Sequence, residues 1–262
     1  MDTTRWEDKV TLVSGGGSGL GLACAEAFAR RGSAVVLTDI RAEAAERAAQ
    51  DIRAHGGRAE AFSADAASEA DWRQLFDTLA KRGQPVDILI NNAGRQHVEA
   101  LDTFPLATFQ DMLALMVVGP FVSMQLALPH MRATGWGRII NMASVNGLVG
   151  FAGKAAYNTA KHGLIGLTRV AALEVAEAGI TVNALCPGYV ETPLVRNQLE
   201  SLAATRGVPV ERVLEDVIYP LVPQRRLLEP DEVAEYAVFL ASEQGRSITG
   251  QAVVMDGGYV AQ

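Results

Sequence analysis

The sequence predicts an α/β fold: a single doubly wound domain on a parallel sheet of about seven strands, with helices on both faces. Three observations lead there. Short, nearly continuously apolar runs alternate with longer amphipathic stretches along the whole chain, the pattern of strands covered on both sides. No low-complexity linker, internal repeat or break in composition divides the 262 residues, so 1–262 reads as one unit. A glycine-rich segment joins the first apolar run to the first amphipathic one. A chain of this size buries roughly three quarters of the surface it exposes unfolded, so neither a disulfide nor a structural metal is required.

The elements follow in order. A strand is expected over 10–14 (VTLVS), then a helix over 20–31 that stops at Gly32. A second strand, 34–38 (AVVLT), leads to a helix over 42–55, ended by Gly56 and Gly57. The third strand, 58–62, precedes a helix over 69–82 that Gly83 closes. Strand 86–90 (VDILI) is followed by a long helix, 105–132, and strand 138–141 by a helix over 154–177 ended by Gly179. Strand 180–184 comes next, and helix 231–242 with strand 252–255 completes the set. Strict alternation requires right-handed crossovers and a parallel sheet. Residues 191–229 break the rhythm as a helical insertion beyond a strand's carboxyl end. That position lies over the binding crevice of such a sheet, so the insertion reads as a substrate lid.

Composition narrows the function. Half the chain is hydrophobic (49%), and 30 acidic against 23 basic side chains give a net charge of −7 without a basic cluster. This argues against a nucleic-acid partner. Arg, Glu or Asp is read as interrupting every apolar run short of the ~18 residues of a membrane span. The segment MDTTRWEDKV lacks an apolar signal core, so a cytoplasmic location is expected. Cys24 and Cys186 lie in apolar contexts and read as buried free thiols of a reducing compartment rather than as a disulfide. No His, Cys or carboxylate cluster has the spacing of metal ligands, so no metal is expected.

The first strand runs into Ser14-Gly15-Gly16-Gly17-Ser18-Gly19-Leu20-Gly21. Glycines there let the backbone approach an anion closely, and the N–H groups and dipole of the following helix face it. A Rossmann-type dinucleotide site is therefore expected at Gly15, Ser18, Gly19, Leu20 and Gly21, although the spacing G-x-x-x-G-x-G is not the broad G-x-G-x-x-G fingerprint. An ordinary tight turn between strand and helix is the plainer alternative. Asp39 ends the second strand, where a carboxylate accepts ribose hydroxyls and repels a 2′-phosphate, which selects NAD. Arg41 nearby favours NADP in principle, but no Arg or Lys sits in the turn itself.

Ser144 follows strand 138–141, and Tyr157 and Lys161 stand at i and i+4 of the next helix, about 6 Å apart in rise. A phenol is a poor base near neutral pH, and an ammonium one turn away, helped by a cationic nicotinamide ring, stabilises its phenolate and lowers its pKa. Tyr157 can then exchange a proton with an alcohol or carbonyl oxygen that Ser144 orients. A half-buried tyrosine beside a snorkelling lysine gives the same pair without chemistry.

With these motifs together, the chain resembles the short-chain dehydrogenase/reductase family over essentially its whole length. The matching stretches are SGGGSGLG, Asp65, Asn91-Asn92-Ala93-Gly94, Ser144, Tyr157-Asn158-Thr159-Ala160-Lys161, Asn183 with Pro187-Gly188 and Thr192, and Asp256-Gly257-Gly258. The resemblance implies that Asp65 and Ala66 border adenine and that Asn92, Ala93 and Gly94 lie along the cofactor. It implies that Lys161 also holds the nicotinamide ribose, with Pro187, Gly188, Val190 and Thr192 around the carboxamide. It further implies a homotetramer built on helices 105–132 and 154–177. One departure is Met116, which stands where the family usually has an Asn that helps hold a proton-relay water. A backbone carbonyl at 116 can still hold one.

Within the family, the second half looks most like D-3-hydroxybutyrate dehydrogenases. The likeness implies that Gln96, Gln198 and Lys154 hold a substrate carboxylate, with Asn146 where those enzymes have a histidine. Lys154, Tyr157 and Lys161 at i, i+3 and i+7 are expected to form one helical stripe, although a solvated Lys154 near a helix start is the plain alternative. Tyr189 and Tyr259 are candidate pocket walls, and Arg95 and His97 are expected at the rim or surface. The resulting expectation is an NAD-dependent oxidoreductase converting a short 3-hydroxy acid, D-3-hydroxybutyrate to acetoacetate by preference. Its rivals are a relative acting on another secondary alcohol or ketone, and a non-catalytic NAD(H)-binding protein.

Overall fold

In a computed structural model describing residues 2–261, seven parallel strands form one sheet: β1 (Val10–Ser14), β2 (Ala34–Asp39), β3 (Arg58–Ser63), β4 (Ile88–Asn91), β5 (Gly137–Met142), β6 (Ile180–Pro187) and β7 (Ala252–Met255). Their spatial order is β3-β2-β1-β4-β5-β6-β7. The order reverses between β1 and β4, so a crevice opens outside the carboxyl ends of those two strands. β6 runs three residues past its expected end because Leu185, Cys186 and Pro187 pair with Val253, Val254 and Met255 of β7.

One face carries α1 (Gly19–Arg30), α2 (Ala42–Ala54) and α9 (Pro230–Ala241), packed around Phe28, Leu37, Ile90 and Val233. The other carries α3 (Glu69–Lys81), α5 (Gly119–Thr134) and α6 (Ala155–Val175), around Leu12, Trp72, Leu89, Met131 and Val182. Cys24 and Cys186 are buried and free.

The helix expected over 105–132 is divided. α4 (Leu106–Leu113) passes into a widened π turn, Ala114–Val118, before α5. Gly119 lies so close to the Ala66 carbonyl oxygen that a Cβ would stand 2.1 Å from it, and Pro120 has no N–H to give the Met116 carbonyl four residues back. Both features favour the extra residue in that turn. The reading that charges interrupt every long apolar run is corrected here. Leu106–Thr134 is long and apolar enough to span a membrane by length and composition, with 44% of its most apolar window buried inside the protein. Its buried side, with Met112, Met116, Val122, Met124 and Met131, packs into the domain.

The insertion forms α7 (Pro193–Arg196), α8 (Leu199–Arg206) and a series of short turns. It has its own apolar cluster, with Leu199, Leu202, Val213, Ile218 and Val222 at the centre. Its two legs meet at a bridge, where Leu228 N–H donates to the Tyr189 carbonyl and Glu191 N–H to the Leu228 carbonyl, each at 2.9 Å.

Candidate active site

A cavity of about 750 Å³ runs along the crevice from the glycine turn to the insertion. At one end Gly15 and Gly19 adopt positive φ (65° and 55°), and Ser18 precedes α1 without capping it. The first N–H groups of α1 therefore keep no side-chain partner from Ser18 and are open to an anion. Gly21 does not line the cavity, contrary to a direct binding role. It lies behind the turn, where a Cβ would stand 2.2 Å from the Gly15 carbonyl oxygen. Its contribution is to let α1 approach.

Asp39, only 7% exposed, accepts from Gly17 N–H at 3.2 Å. Its other oxygen takes Arg41 N–H at 3.0 Å and Arg41 Nε at 3.3 Å, and the same guanidinium reaches Ser18 Oγ at 3.1 Å. Arg41 thus crosses the mouth of the glycine turn. Asp65 and Ala66 border the cavity beyond it. Asn92 also lines it, but its amide donates to the carbonyls of Ser14 and Gly15 at 3.0 and 3.2 Å, so that side chain braces the turn. Ala93 and Gly94 continue the wall, with Pro187, Gly188, Val190 and Thr192 facing them. These features fit a dinucleotide: an uncapped helix start, a glycine cradle closed to side chains, and a buried carboxylate one strand away.

At the inner end, Ser144 Oγ accepts from Asn146 N–H at 3.1 Å and donates to the Pro187 carbonyl at 3.5 Å. Burial pushes the Tyr157 phenol up to about 12, outweighing the lowering effect of the neighbouring Ser144 hydroxyl. Lys161 is 4% exposed, and its Nζ donates to the Met142 carbonyl at 2.6 Å and stands 5.4 Å from the Tyr157 ring centre. Burial pushes its ammonium down to about 8. Among this chain's own groups desolvation is the stronger effect on the phenol, and the expected lowering calls for the cationic nicotinamide ring beside Lys161.

Lys154 does not extend the helical stripe. It caps α6 with φ −115° and ψ 40°, one residue after Gly153 at φ 83°. Off the helix, its Nζ meets Gln198 Oε1 of the insertion at 3.3 Å and lies 4.5 Å from the Phe151 ring centre. It is 3% exposed, which excludes a solvated role, and burial pushes its ammonium down to about 8. Gln96, Asn146 and Gln198 line the same end of the cavity, as do Tyr189 and Tyr259, whose rings meet edge to face at 6.3 Å. Arg95 stands at the rim, paired with Asp111 at 3.3 Å, and His97 packs edge-on against Phe104. Met116 is 1% exposed among Met112, Ala156, Ala160 and Tyr157, so its side chain packs behind the tyrosine.

Two features escaped sequence reasoning. Phe151 under Lys154 had a signal, a lone aromatic in the glycine-flanked loop Gly150-Phe151-Ala152-Gly153. The Met142 carbonyl on Lys161 had none, because backbone acceptors leave no mark in side-chain pattern. Among the described residues no group of His, Cys, Asp and Glu is placed to hold a metal.

Comparison with known proteins agrees with this geometry. Residues 15–260 match the family model described as enoyl-(acyl carrier protein) reductase. The chain is 54% identical to the uncharacterized oxidoreductase YxjF of Bacillus subtilis, over 97% of this chain and 99% of that one. It is 41% identical to a D-beta-hydroxybutyrate dehydrogenase of Cupriavidus necator, over 97% and 98%. A variant of the actinorhodin polyketide ketoreductase, solved with NADPH, superposes with a TM-score of 0.93 at 34% identity, covering 99% of each chain. Sheet order, cavity and relatives coincide: the chain belongs to the short-chain dehydrogenase/reductase family and is an oxidoreductase.

Proposed function

We propose that this protein oxidises a short 3-hydroxy acid reversibly with NAD, with D-3-hydroxybutyrate to acetoacetate as the preferred reaction. One observation carries the reading. An ammonium, Lys154, is buried in the same cavity as Ser144 and Tyr157, and among the described residues no acidic side chain pairs with it. A buried, unneutralised cation facing a cavity is costly unless an anion meets it there. Gln96, Asn146 and Gln198 add neutral hydrogen-bonding groups around the same point.

A bound nicotinamide dinucleotide supplies the hydride acceptor and further positive charge. Ser144 and Tyr157 hold the substrate oxygen, and Tyr157 receives the hydroxyl proton in oxidation and returns it in reduction. With the phenol near 12, the chain alone favours the proton-bearing form, so oxidation depends on added positive charge beside Lys161. Gln198, reaching Lys154 from the insertion, closes the acid end against water.

Asp39 supports NAD. Arg41 supports a second reading in which NADP is also accepted, because its guanidinium already spans Asp39 and Ser18. Asn146, which lacks the charge of a protonated histidine, motivates another alternative, a different secondary alcohol or ketone as substrate. We also propose a cytoplasmic homotetramer. The exposed Phe121, Val170 and Leu173 (82% exposed) on α5 and α6 support the assembly, and light scattering of the purified protein tests it.

The deciding experiment measures reduction of NAD and of NADP with D-3-hydroxybutyrate, its L-isomer and cyclohexanol. Turnover of the D-acid well above the others supports the proposal. Turnover of cyclohexanol alone keeps the chemistry and removes the substrate. NADH binding without any turnover selects the non-catalytic alternative.

A further inference from the structure

Beneath the catalytic group, four polar side chains form a hydrogen-bonded chain through the core. Ser123 on α5 donates to Asn91 Oδ1 at 2.7 Å, and Asn91 Nδ2 donates to Asn141 Oδ1 on β5 at 2.9 Å. Asn141 Nδ2 donates to Thr168 Oγ1 on α6 at 2.9 Å, and Thr168 donates to the Leu164 carbonyl at 2.8 Å. None of the four is more than 3% exposed. All the donors run in one sense, so both ends of each amide are occupied. A buried polar group left without a partner is costly, while an apolar set of the same shape can be about as stable. Stability alone does not require this chain. Directional bonds supply a fixed position, which apolar packing supplies less well.

Position matters here because α6 carries Tyr157 and Lys161. Its packed side over the turn of Tyr157 presents Ala156 and Ala160, with Leu164 and Ile165 one turn beyond Lys161, and a Cβ on Gly147 would lie 2.8 Å from the Lys161 carbonyl oxygen. Small side chains make shallow ridges, which resist axial sliding weakly. Two consecutive residues of β5 grip the helix instead: Asn141 through Thr168, and the Met142 carbonyl through Lys161. The two grips are about 10 Å apart along one helix face. The chain leaving the same strand carries Ser144, which lines the cavity together with Tyr157.

We infer that Asn141 and Thr168 are positioning residues for the oxidoreductase reaction. They set the height of α6 against β5, and with it the placement of Tyr157 and Lys161 against Ser144. Neither lines the cavity. The inference goes beyond the proposed substrate and holds whichever alcohol the protein oxidises.

Thr168→Val keeps the shape and removes the hydroxyl. The readouts are kcat, its pH profile and Tm, using whichever alcohol of the panel above the unaltered protein oxidises fastest. The expected result is a fall in kcat of about 10- to 100-fold, the scale of a small misplacement of reacting groups. The limb of the pH profile set by the phenol moves to higher pH, and Thr168→Ser restores both. Ser123→Ala removes a bond of similar length at the far end of the chain, so it lowers Tm and leaves the limb in place. An unmoved limb in Thr168→Val, or an equal movement in Ser123→Ala, overturns the inference. Thr168→Cys provides the same readout if the valine variant does not fold, and an unmoved limb there overturns it equally.

Discussion

Replacing Lys154 by methionine should make the protein more stable and a worse acid dehydrogenase. Burial brings the ammonium from its ordinary 10.5 down to about 8, which corresponds to about 3 kcal/mol of penalty near neutral pH. The folded pKa lies below the unfolded one, so the penalty is complete below pH 8 and is relieved as pH rises from 8 towards 10.5. Methionine has similar length and no charge. It forfeits the long charge-assisted bond to Gln198, about 1.5 kcal/mol, and the contact with Phe151, about 0.5–1 kcal/mol. The balance is a gain of roughly 0.5–1 kcal/mol, or roughly 1–4 °C in Tm for a chain of this size. That gain should fade in thermal scans repeated near pH 10. In the same variant a substrate carboxylate loses a charge-assisted bond worth about 1.5–3 kcal/mol. The kcat/KM for D-3-hydroxybutyrate should then fall about 10- to 150-fold, while that for cyclohexanol stays within about twofold. A lower Tm near neutral pH would refute the desolvation reasoning. Equal losses on acid and neutral alcohol would remove Lys154 from substrate recognition.

Tyr157→Phe should lower kcat by about 10²- to 10⁴-fold, the weight of a general acid–base group, with NADH affinity by fluorescence titration unchanged; retained turnover would assign the proton to another residue. Asp39→Asn keeps an acceptor for Gly17 N–H but removes the charge, so the ratio of kcat/KM for NADP to that for NAD should rise about tenfold or more. An unaltered ratio would show that Asp39 does not choose the dinucleotide. Gly21→Ala sets a Cβ against the Gly15 carbonyl oxygen, so the turn must open, and NADH titration should show binding weakened beyond tenfold relative to the parent, by about 1.4 kcal/mol or more.

The alternation of apolar runs and amphipathic stretches located all seven strands, because burial on both faces forces an unmistakable pattern on a parallel sheet. Where the reading missed, contacts outside the local segment decided. The extension of β6 to Pro187 depends on β7, some seventy residues later. The π turn at Ala114–Val118 leaves periodicity almost intact, and only Gly119-Pro120 hints at it. Most residues expected around the cofactor and substrate do line one cavity, since their motifs encode backbone shape as well as chemistry. Gly21 and the amide of Asn92 were legible as important but not in role. Both shape the turn, and only the three-dimensional approach of Gly15 distinguishes shaping it from lining it. Lys154 was assigned to the substrate end by family likeness, and the helical stripe offered in its support does not form: after the left-handed Gly153 it stands just before α6 and reaches Gln198.

The two buried lysines share a wall and a depressed pKa, yet the fold treats them differently. Lys161 is anchored to the end of β5 through the Met142 carbonyl, one of the most buried parts of the sheet. Its charge therefore stays beside Tyr157 whatever the insertion does, as a group that stabilises a developing phenolate must. Lys154 is tied instead to Gln198, whose own amide nitrogen donates to the Leu194 carbonyl within the insertion. Its partner thus belongs to the segment that covers the cavity. A carboxylate entering beneath that segment meets an ammonium held by a neutral amide, which it can supplement or displace without separating an ion pair. Breaking a buried ion pair to admit an acid would cost several kcal/mol; exchanging the long ammonium–amide contact costs about 1.5 kcal/mol. The absence of an acidic partner for Lys154 among the described residues is thus the feature that would make binding of the proposed acid at this end of the cavity inexpensive and reversible.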